Sequence, residues 1–159
     1  MNTILFLCTG NYYRSRFAEE YFNHHALQLG LLWRADSRGL RQDITSLNNP
    51  GPMSLHTARA LQERGIRPLH STRFPLPVMR QDIENAAITV AVKEAEHRPM
   101  LERLFPDLSK QVEYWDVEDL DVWDPALTIG RLEQRINQLI NRLAARELVW
   151  EPVAVSAQF

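Results

Sequence analysis

Segments that predict β-strands alternate along the chain with segments in which apolar residues recur every three or four positions. Strands are predicted at 4–7, near 32–36, at 86–92 and at 112–117. The segment at 86–92 is apolar almost throughout, which is typical of a strand buried on both faces of a parallel sheet. The remaining pattern predicts helices between the strands.

Four helices are expected. The first covers Ser15–Leu29 and is closed by Gly30, the second begins at an N-cap Ser54 and ends at Gly65, and the third covers Glu94–Leu104 with an early interruption at Pro99. The apolar stripes are Phe17, Ala18, Tyr21, Phe22 and Leu29 in the first helix, Leu55, Ala58 and Leu61 in the second, and Leu132, Ile136, Leu139, Ile140 and Leu143 in the last. Prolines at 68, 75 and 77 predict that the chain is irregular after the second helix.

This alternation indicates an α/β fold, a doubly wound four-stranded parallel sheet flanked by helices. In such sheets ligands bind beyond the carboxyl ends of the strands, and both Cys8 and Asp124 fall at such ends. One domain is expected over 1–147, followed at 148–159 by an apolar tail that carries no motif.

Composition excludes several classes of function. The net charge of −2 shows no polybasic face, so nothing in it favours a nucleic-acid or membrane-surface partner. The single cysteine excludes an internal disulfide, and no run of about 18 apolar residues could span a bilayer. The first apolar run is too short for a signal peptide, so we expect a cytoplasmic protein.

The segment Cys8-Thr9-Gly10-Asn11-Tyr12-Tyr13-Arg14-Ser15 joins the first predicted strand to the first predicted helix. A turn there can point several backbone N–H groups, a helix amino end and the Arg14 guanidinium at one tetrahedral oxyanion. The same positive field favours a thiolate at Cys8. The spacing from Cys8 to Arg14 is weak by itself, but Gly10, expected at positive φ, Asn11 and Ser15 strengthen it.

These residues resemble the signature of the low-molecular-weight protein tyrosine phosphatase family, Cys-x5-Arg-Ser after a first strand. The resemblance continues through Asp36–Gly39, Leu61–Ile66, His70–Arg73 and Asp124-Pro125, and reaches about Leu143. It implies a phosphatase that needs no cofactor.

The resemblance also implies roles for the loop. Cys8 would be the nucleophile, Arg14 would hold two phosphoryl oxygens, and Ser15 would donate a hydrogen bond to the sulfur. Asn11 would hold the loop in place through Ser37 and His70. The expected phosphate-binding residues are Thr9, Gly10, Asn11, Tyr12, Tyr13, Arg14 and Ser15.

The general acid is ambiguous. Counted forward from the strand at 112–117, the family's acid falls at Asp119 or Asp121; counted backward from the last helix, it falls at Asp124. Asp124 is favoured because it alone precedes a proline.

Two departures from the family pattern matter. Tyr13 stands where the family often has a second cysteine, and Val92-Lys93 stands where it usually has Met-Asp, so one buried acidic support is lost. Tyr12 and Tyr13 either stack on an aromatic substrate or fill the base of the loop, and the sequence does not choose between these.

A metal site is not expected. Glu94 and His97 lie one helical turn apart, but the chain offers no second such pair, and His24 and His25 point to different helix faces.

The function expected is hydrolysis of a phosphomonoester, most simply phosphotyrosine in a protein or a small aryl phosphate, through a phosphocysteine. Phosphoarginine is a further possible substrate within the family, although Tyr12 leaves less room for it. The alternatives are a phosphate-binding module with little turnover and reduction of another oxyanion, such as arsenate, by external thiols.

Overall fold

The computed structural model describes residues 1–150. The strands are β1 (Asn2–Cys8), β2 (Trp33–Gly39), β3 (Ile88–Ala91) and β4 (Glu113–Tyr114), and the α-helices are α1 (Arg14–Leu29), α2 (Leu55–Glu63), α3 (Arg80–Asn85), α4 (Glu94–Leu104) and α5 (Pro125–Trp150). Short 3-10 turns cover Ile44–Leu47 and Ser109–Gln111. Strands and helices alternate as the sequence predicts, except at the additional helix α3.

The four strands form one parallel sheet in the order β2-β1-β3-β4. Its central strand β1 is buried on both faces: Ile4 and Phe6 join the core under α1, α2 and α5, while Leu5 and Leu7 face α3 and α4. The predicted doubly wound α/β fold is therefore confirmed. Since all four strands are parallel, their carboxyl ends share one edge, and Cys8 lies at the centre of that edge.

The stripe on the last helix is confirmed as core, since Leu132, Ile136, Leu139, Ile140 and Leu143 are all buried. Helix α5 continues to Trp150, across the boundary predicted at 147. The remainder of the predicted tail, 151–159, lies outside the described residues. Among the residues described, no helix combines the length and the apolar character that crossing a bilayer requires.

Two predicted apolar positions are exposed. Leu29 is 62% exposed, because Gly30 (φ 69°) reverses the chain and the N–H of Leu31 bonds back to the Ala26 carbonyl, which buries Leu31 instead. Leu55 is 69% exposed because α2 turns Thr57, Ala60 and Leu61 inward.

Three further details differ from the prediction. Helix α4 runs through Pro99 without the predicted interruption. Strand β4 is shorter than predicted, although the N–H groups of Trp115 and Val117 still bond to Ala91 and Val92. Helix α3 was not predicted, because its six residues carry a single buried apolar side chain, Ile83.

Candidate active site

The segment from Cys8 to Ser15 leaves the end of β1 and enters α1 as one turn. Asn11, not Gly10 as predicted, has the left-handed backbone, with φ of 50°. Gly10 matters for space, since a Cβ there would come within 3.2 Å of the Leu47 side chain. An asparagine tolerates this conformation better than most residues, and its side chain is fully used to hold the turn.

Asn11 is the buried centre of the network that holds the loop. Its Nδ2 donates to Ser15 Oγ and to Ser37 Oγ, both at 2.9 Å, and its Oδ1 accepts from the backbone N–H of Leu76 at 3.1 Å and from Arg73. The expected bond to Ser37 is present. The expected bond to His70 is not, because His70 reaches Glu19 instead.

Glu19 connects His70 to the loop indirectly. It lies 2.7 Å from His70 Nδ1 and accepts a 2.5 Å hydrogen bond from Ser37 Oγ. Arg73 donates both to Glu19, at 2.7 Å, and to Ser37. A buried charged network therefore stands behind the loop.

The sulfur of Cys8 faces a hydroxyl. Its Sγ lies 2.9 Å from Ser15 Oγ, and both side chains are buried. Because Ser15 accepts from Asn11, its own proton is free to be donated to the sulfur. A thiolate at Cys8 would thus receive a hydrogen bond from Ser15.

Arg14 lies under the same loop, 2% exposed. Its Nη1 donates to the Val117 carbonyl at 3.0 Å, and its Nη2 donates to Glu96 at 2.7 Å and to Asp119 at 3.2 Å. Burial opposes its charge, but Cys8, Glu96 and Asp119 raise the pKa of Arg14 above its ordinary value. A guanidinium has about five N–H donors, so these bonds leave donors for an oxyanion.

The acidic candidates separate clearly. Asp119 and Asp121 line the cavity above Cys8 and Arg14, a space of about 430 Å³. Asp124 does not line it; its Oδ1 accepts from the Leu127 N–H at 3.0 Å and caps the start of α5. Asp124 was favoured because it precedes a proline. That proline is the first residue of α5, so the position of Asp124 is explained by helix capping and does not support a role as the acid.

The two loop tyrosines have different positions. Tyr13 is buried in the main core, and burial raises the pKa of its phenol. Tyr12 is half-buried, lines the cavity, and donates to the Pro50 carbonyl at 2.6 Å. Both tyrosines line the cavity, but Tyr13 does so from the buried core at the base of the loop, whereas Tyr12 stands in the wall beside Leu47 and Leu120.

The residues considered for a metal do not converge. Glu94 pairs with Arg98 at the surface, while His97 is buried against Glu96 and Thr9. Within the described part of the chain, one other set, Glu19, Glu20 and His70, places ligand atoms within 4.8 Å of one another. The carboxylates of Glu19 and Glu20 already accept hydrogen bonds from Arg16, from Arg73 and from backbone N–H groups.

The sequence model of the low molecular weight phosphotyrosine protein phosphatase family matches residues 3–149. The chain belongs to this family. The matched residues include the cysteine loop, the residues named above as lining the cavity and nearly all of α5.

Solved phosphatase structures have the same fold. The low molecular weight protein tyrosine phosphatase of T. tengcongensis is 27% identical, with a TM-score of 0.73 over 90% of this chain and 100% of that one. SP-PTP of Streptococcus pyogenes is 17% identical (TM-score 0.78, 94% and 97% covered), and the YwlE arginine phosphatase of Geobacillus stearothermophilus is 21% identical (TM-score 0.74, 94% and 97% covered). No curated protein matches the chain in sequence.

The sequence analysis missed Glu19 behind the loop and Glu96 beside it. Glu96 bonds to Arg14 and to Thr9, and so brings a carboxylate to the loop even though Val92-Lys93 lacks the family's usual acid. Its place in the first turn of a helix that follows a central parallel strand was a usable signal, because such turns point toward the ligand edge of the sheet.

Proposed function

We propose that the protein hydrolyses aryl phosphomonoesters, protein phosphotyrosine foremost, through a phosphocysteine formed at Cys8. The observation that carries this proposal is the arrangement at the end of β1: Ser15 Oγ lies 2.9 Å from the Cys8 sulfur, and the buried Arg14 keeps free donors beside it. Membership of the phosphatase family supports the reaction class.

In the first step the Cys8 thiolate attacks phosphorus and the bond from phosphorus to the ester oxygen breaks. Backbone N–H groups of the loop and the free donors of Arg14 stabilise the equatorial oxygens, where negative charge is spread in the transition state. The leaving oxygen needs a proton, because the reference pKa of a phenol is about 10.

Asp119 supplies that proton. It lines the cavity, and its Oδ2 lies 3.2 Å from Arg14 Nη2, so it is close to where phosphoryl oxygens would bind. Its Oδ1 is held by the Leu120 N–H at 2.8 Å. Protonated Asp119 gives its proton to the departing oxygen and becomes a carboxylate.

In the second step water attacks the phosphocysteine. The Asp119 carboxylate takes a proton from that water, the bond between sulfur and phosphorus breaks, and inorganic phosphate forms. The departing thiolate is stabilised by the Ser15 hydroxyl, which restores the starting state of the site.

The cavity wall favours a flat aromatic leaving group. Tyr12, Leu47 and Leu120 line the cavity above the loop, and the bond from Tyr12 to Pro50 fixes one side of it. An apolar cavity wall suits the flat ring of phosphotyrosine better than a flexible alkyl phosphate.

Phosphoarginine is the second candidate. Asp121 lines the cavity beside Asp119, and a pair of carboxylates could accept from a substrate guanidinium. A structural neighbour is an arginine phosphatase, although at 21% identity the likeness shows the fold alone.

The test is steady-state hydrolysis of para-nitrophenyl phosphate between about pH 5 and pH 8 with a chelator present, for wild type and Cys8→Ser. We expect turnover that resists the chelator and is lost with Cys8→Ser. Phosphate or vanadate binding without turnover would instead establish a binding module, and arsenate-dependent oxidation of added thiols would establish a reductase. Phosphotyrosine and phosphoarginine peptides of one sequence then separate the two substrates.

Asp119 is tested against a matched residue. Asp119→Asn should slow phenyl phosphate, a poor leaving group, much more than para-nitrophenyl phosphate. Asp124→Asn changes the charge equally but keeps an acceptor for the Leu127 N–H, and should leave both rates near wild type. If Asp121→Asn shows the selective loss instead, the assignment of the acid is wrong.

A further inference from the structure

Glu96 is the acidic side chain that most closely contacts the oxyanion-binding arginine. Its Oε2 accepts from Arg14 Nη2 at 2.7 Å and from Thr9 Oγ at 2.5 Å, and lies 2.9 Å from His97 Nε2. One carboxylate oxygen thereby joins the first loop residue after Cys8 to the guanidinium beneath it. This contact lies outside the reaction steps described above.

His97 fixes the position of Glu96. The ring is fully buried, and its Nδ1 accepts from the Lys93 N–H at 3.0 Å. Since Nδ1 is an acceptor, the neutral ring carries its proton on Nε2, which faces Glu96. Burial lowers the pKa of His97, so the ring stays neutral and donates. The carboxylate is therefore oriented from behind by a rigid donor.

Glu96 is held as an anion. Burial works against its charge, but the bonds from His97 and Arg14 outweigh it and hold the pKa of Glu96 well below its usual range. The same helix turn holds the loop that carries Asp119, because Lys93 forms an ion pair with Glu118. The start of α4 thus contacts both parts of the site.

We propose that Glu96, oriented by His97, is a positioning residue that holds Arg14 and Thr9 in the geometry needed for transition-state binding; this rests on the proposed phosphatase activity. Arg14 is held on one edge by the Val117 carbonyl and on another by Glu96. A guanidinium fixed at two points loses little freedom when the oxyanion binds, so its remaining donors meet the equatorial oxygens already aligned.

A positioning role for Glu96 predicts a different change in oxyanion affinity from the one that its charge alone predicts. An anion beside Arg14 weakens attraction for a phosphate dianion, so removing its charge alone would tighten oxyanion binding. If Glu96 positions Arg14, its removal instead weakens binding of the transition state more than binding of the ground state. The two roles therefore predict opposite changes in vanadate affinity.

The experiment compares Glu96→Gln with Glu94→Gln. Glu94 lies in the same helix turn, and among the described residues its one ion pair is with Arg98 at the surface, so it is a matched control for charge and helix propensity. For Glu96→Gln we expect kcat/KM for para-nitrophenyl phosphate to fall by about tenfold to a hundredfold, the effect of losing one charge-assisted hydrogen bond. Vanadate inhibition should weaken by a similar factor and inorganic phosphate inhibition by less. Glu94→Gln should match wild type.

Glu96→Asp keeps the charge on a side chain that is shorter by one methylene. Its kcat should fall several-fold, because the carboxylate no longer reaches both Arg14 and Thr9.

Thermal unfolding of each variant shows whether it is folded, and Glu96→Asp replaces Glu96→Gln in the test if Glu96→Gln does not fold. Wild-type kinetics in the folded Glu96 variants, or tighter vanadate binding by Glu96→Gln, would overturn the proposal. If wild type itself shows no turnover, the proposed activity fails, and calorimetric vanadate binding by wild type and Glu96→Gln still tests the role of Glu96.

Discussion

Replacing Arg16 by methionine should strongly destabilise the fold at neutral pH. Arg16 is fully buried: its Nη1 lies 3.1 Å from Glu19 and 3.6 Å from Glu20, and its Nη2 donates to the His70 carbonyl at 2.6 Å. Methionine fills a similar length but leaves two buried carboxylates facing each other.

The expected loss of folding stability depends on the contacts that remain around Glu19 and Glu20 after the substitution. Breaking a buried ion pair by removing one partner costs about 3–5 kcal/mol. Arg73 still contacts Glu19, and within the described residues Nε of Arg16 has no hydrogen-bond partner to lose, so the lower end, about 3 kcal/mol, is expected. This is a large part of the roughly 5–15 kcal/mol that stabilises a typical domain.

The loss should depend on pH. Burial and the charge of Glu19 raise the pKa of Glu20, while Arg16 lowers it, so the substitution raises it further. A carboxyl whose folded pKa is raised destabilises the fold when ionised, and protonation relieves that effect as pH falls through the folded pKa. The difference from wild type should therefore be largest near pH 7.5 and shrink toward about pH 5.

Urea denaturation followed by far-ultraviolet circular dichroism measures both effects. Arg135→Met is the control, since its partner Asp116 is exposed, and should cost less than about 1 kcal/mol. Adding Glu20→Gln to Arg16→Met removes one of the stranded charges but keeps an acceptor for the Leu69 and His70 N–H groups, and should restore part of the loss. A loss below about 1 kcal/mol, or an equal loss at both pH values, would refute this reasoning.

Further predictions concern four single residues. Gly39→Ala should lower the melting temperature and slow turnover, because the new Cβ would lie 2.5 Å from Ile44 and 2.9 Å from the Thr9 carbonyl; Gly130→Ala, with nothing within 4 Å, should stabilise α5 by about 1 kcal/mol in the same thermal scan. Ser15→Ala should lower kcat by roughly tenfold or more, since the sulfur loses its 2.9 Å partner, and unchanged kcat would contradict this. Ser54→Ala should cost about 1 kcal/mol of stability in urea, because Ser54 caps α2 by accepting from the His56 N–H.

The order of strands and helices was predictable because burial imposes a period on the sequence. The apolar residues of β1 and the stripe on α5 follow that period and were placed correctly. The end of α1 at Gly30 was placed correctly, but the burial of Leu29 was not, because the chain reverses there and exposes it. Helix α3 was not predictable, because it buries only Ile83.

The loop from Cys8 to Ser15 was recognisable because its chemistry is local: residues adjacent in sequence surround one point at the end of one strand. The order of acids along the chain could not decide between Asp119 and Asp124, since that choice depends on where the chain turns into α5. The sequence predicted the sheet and the cysteine loop, and the resemblance of that loop to a phosphatase family gave the reaction class to expect. Only the tertiary structure decided that Glu96, distant in sequence, contacts Arg14, because parallel strands bring the turns that follow them to one edge of the sheet.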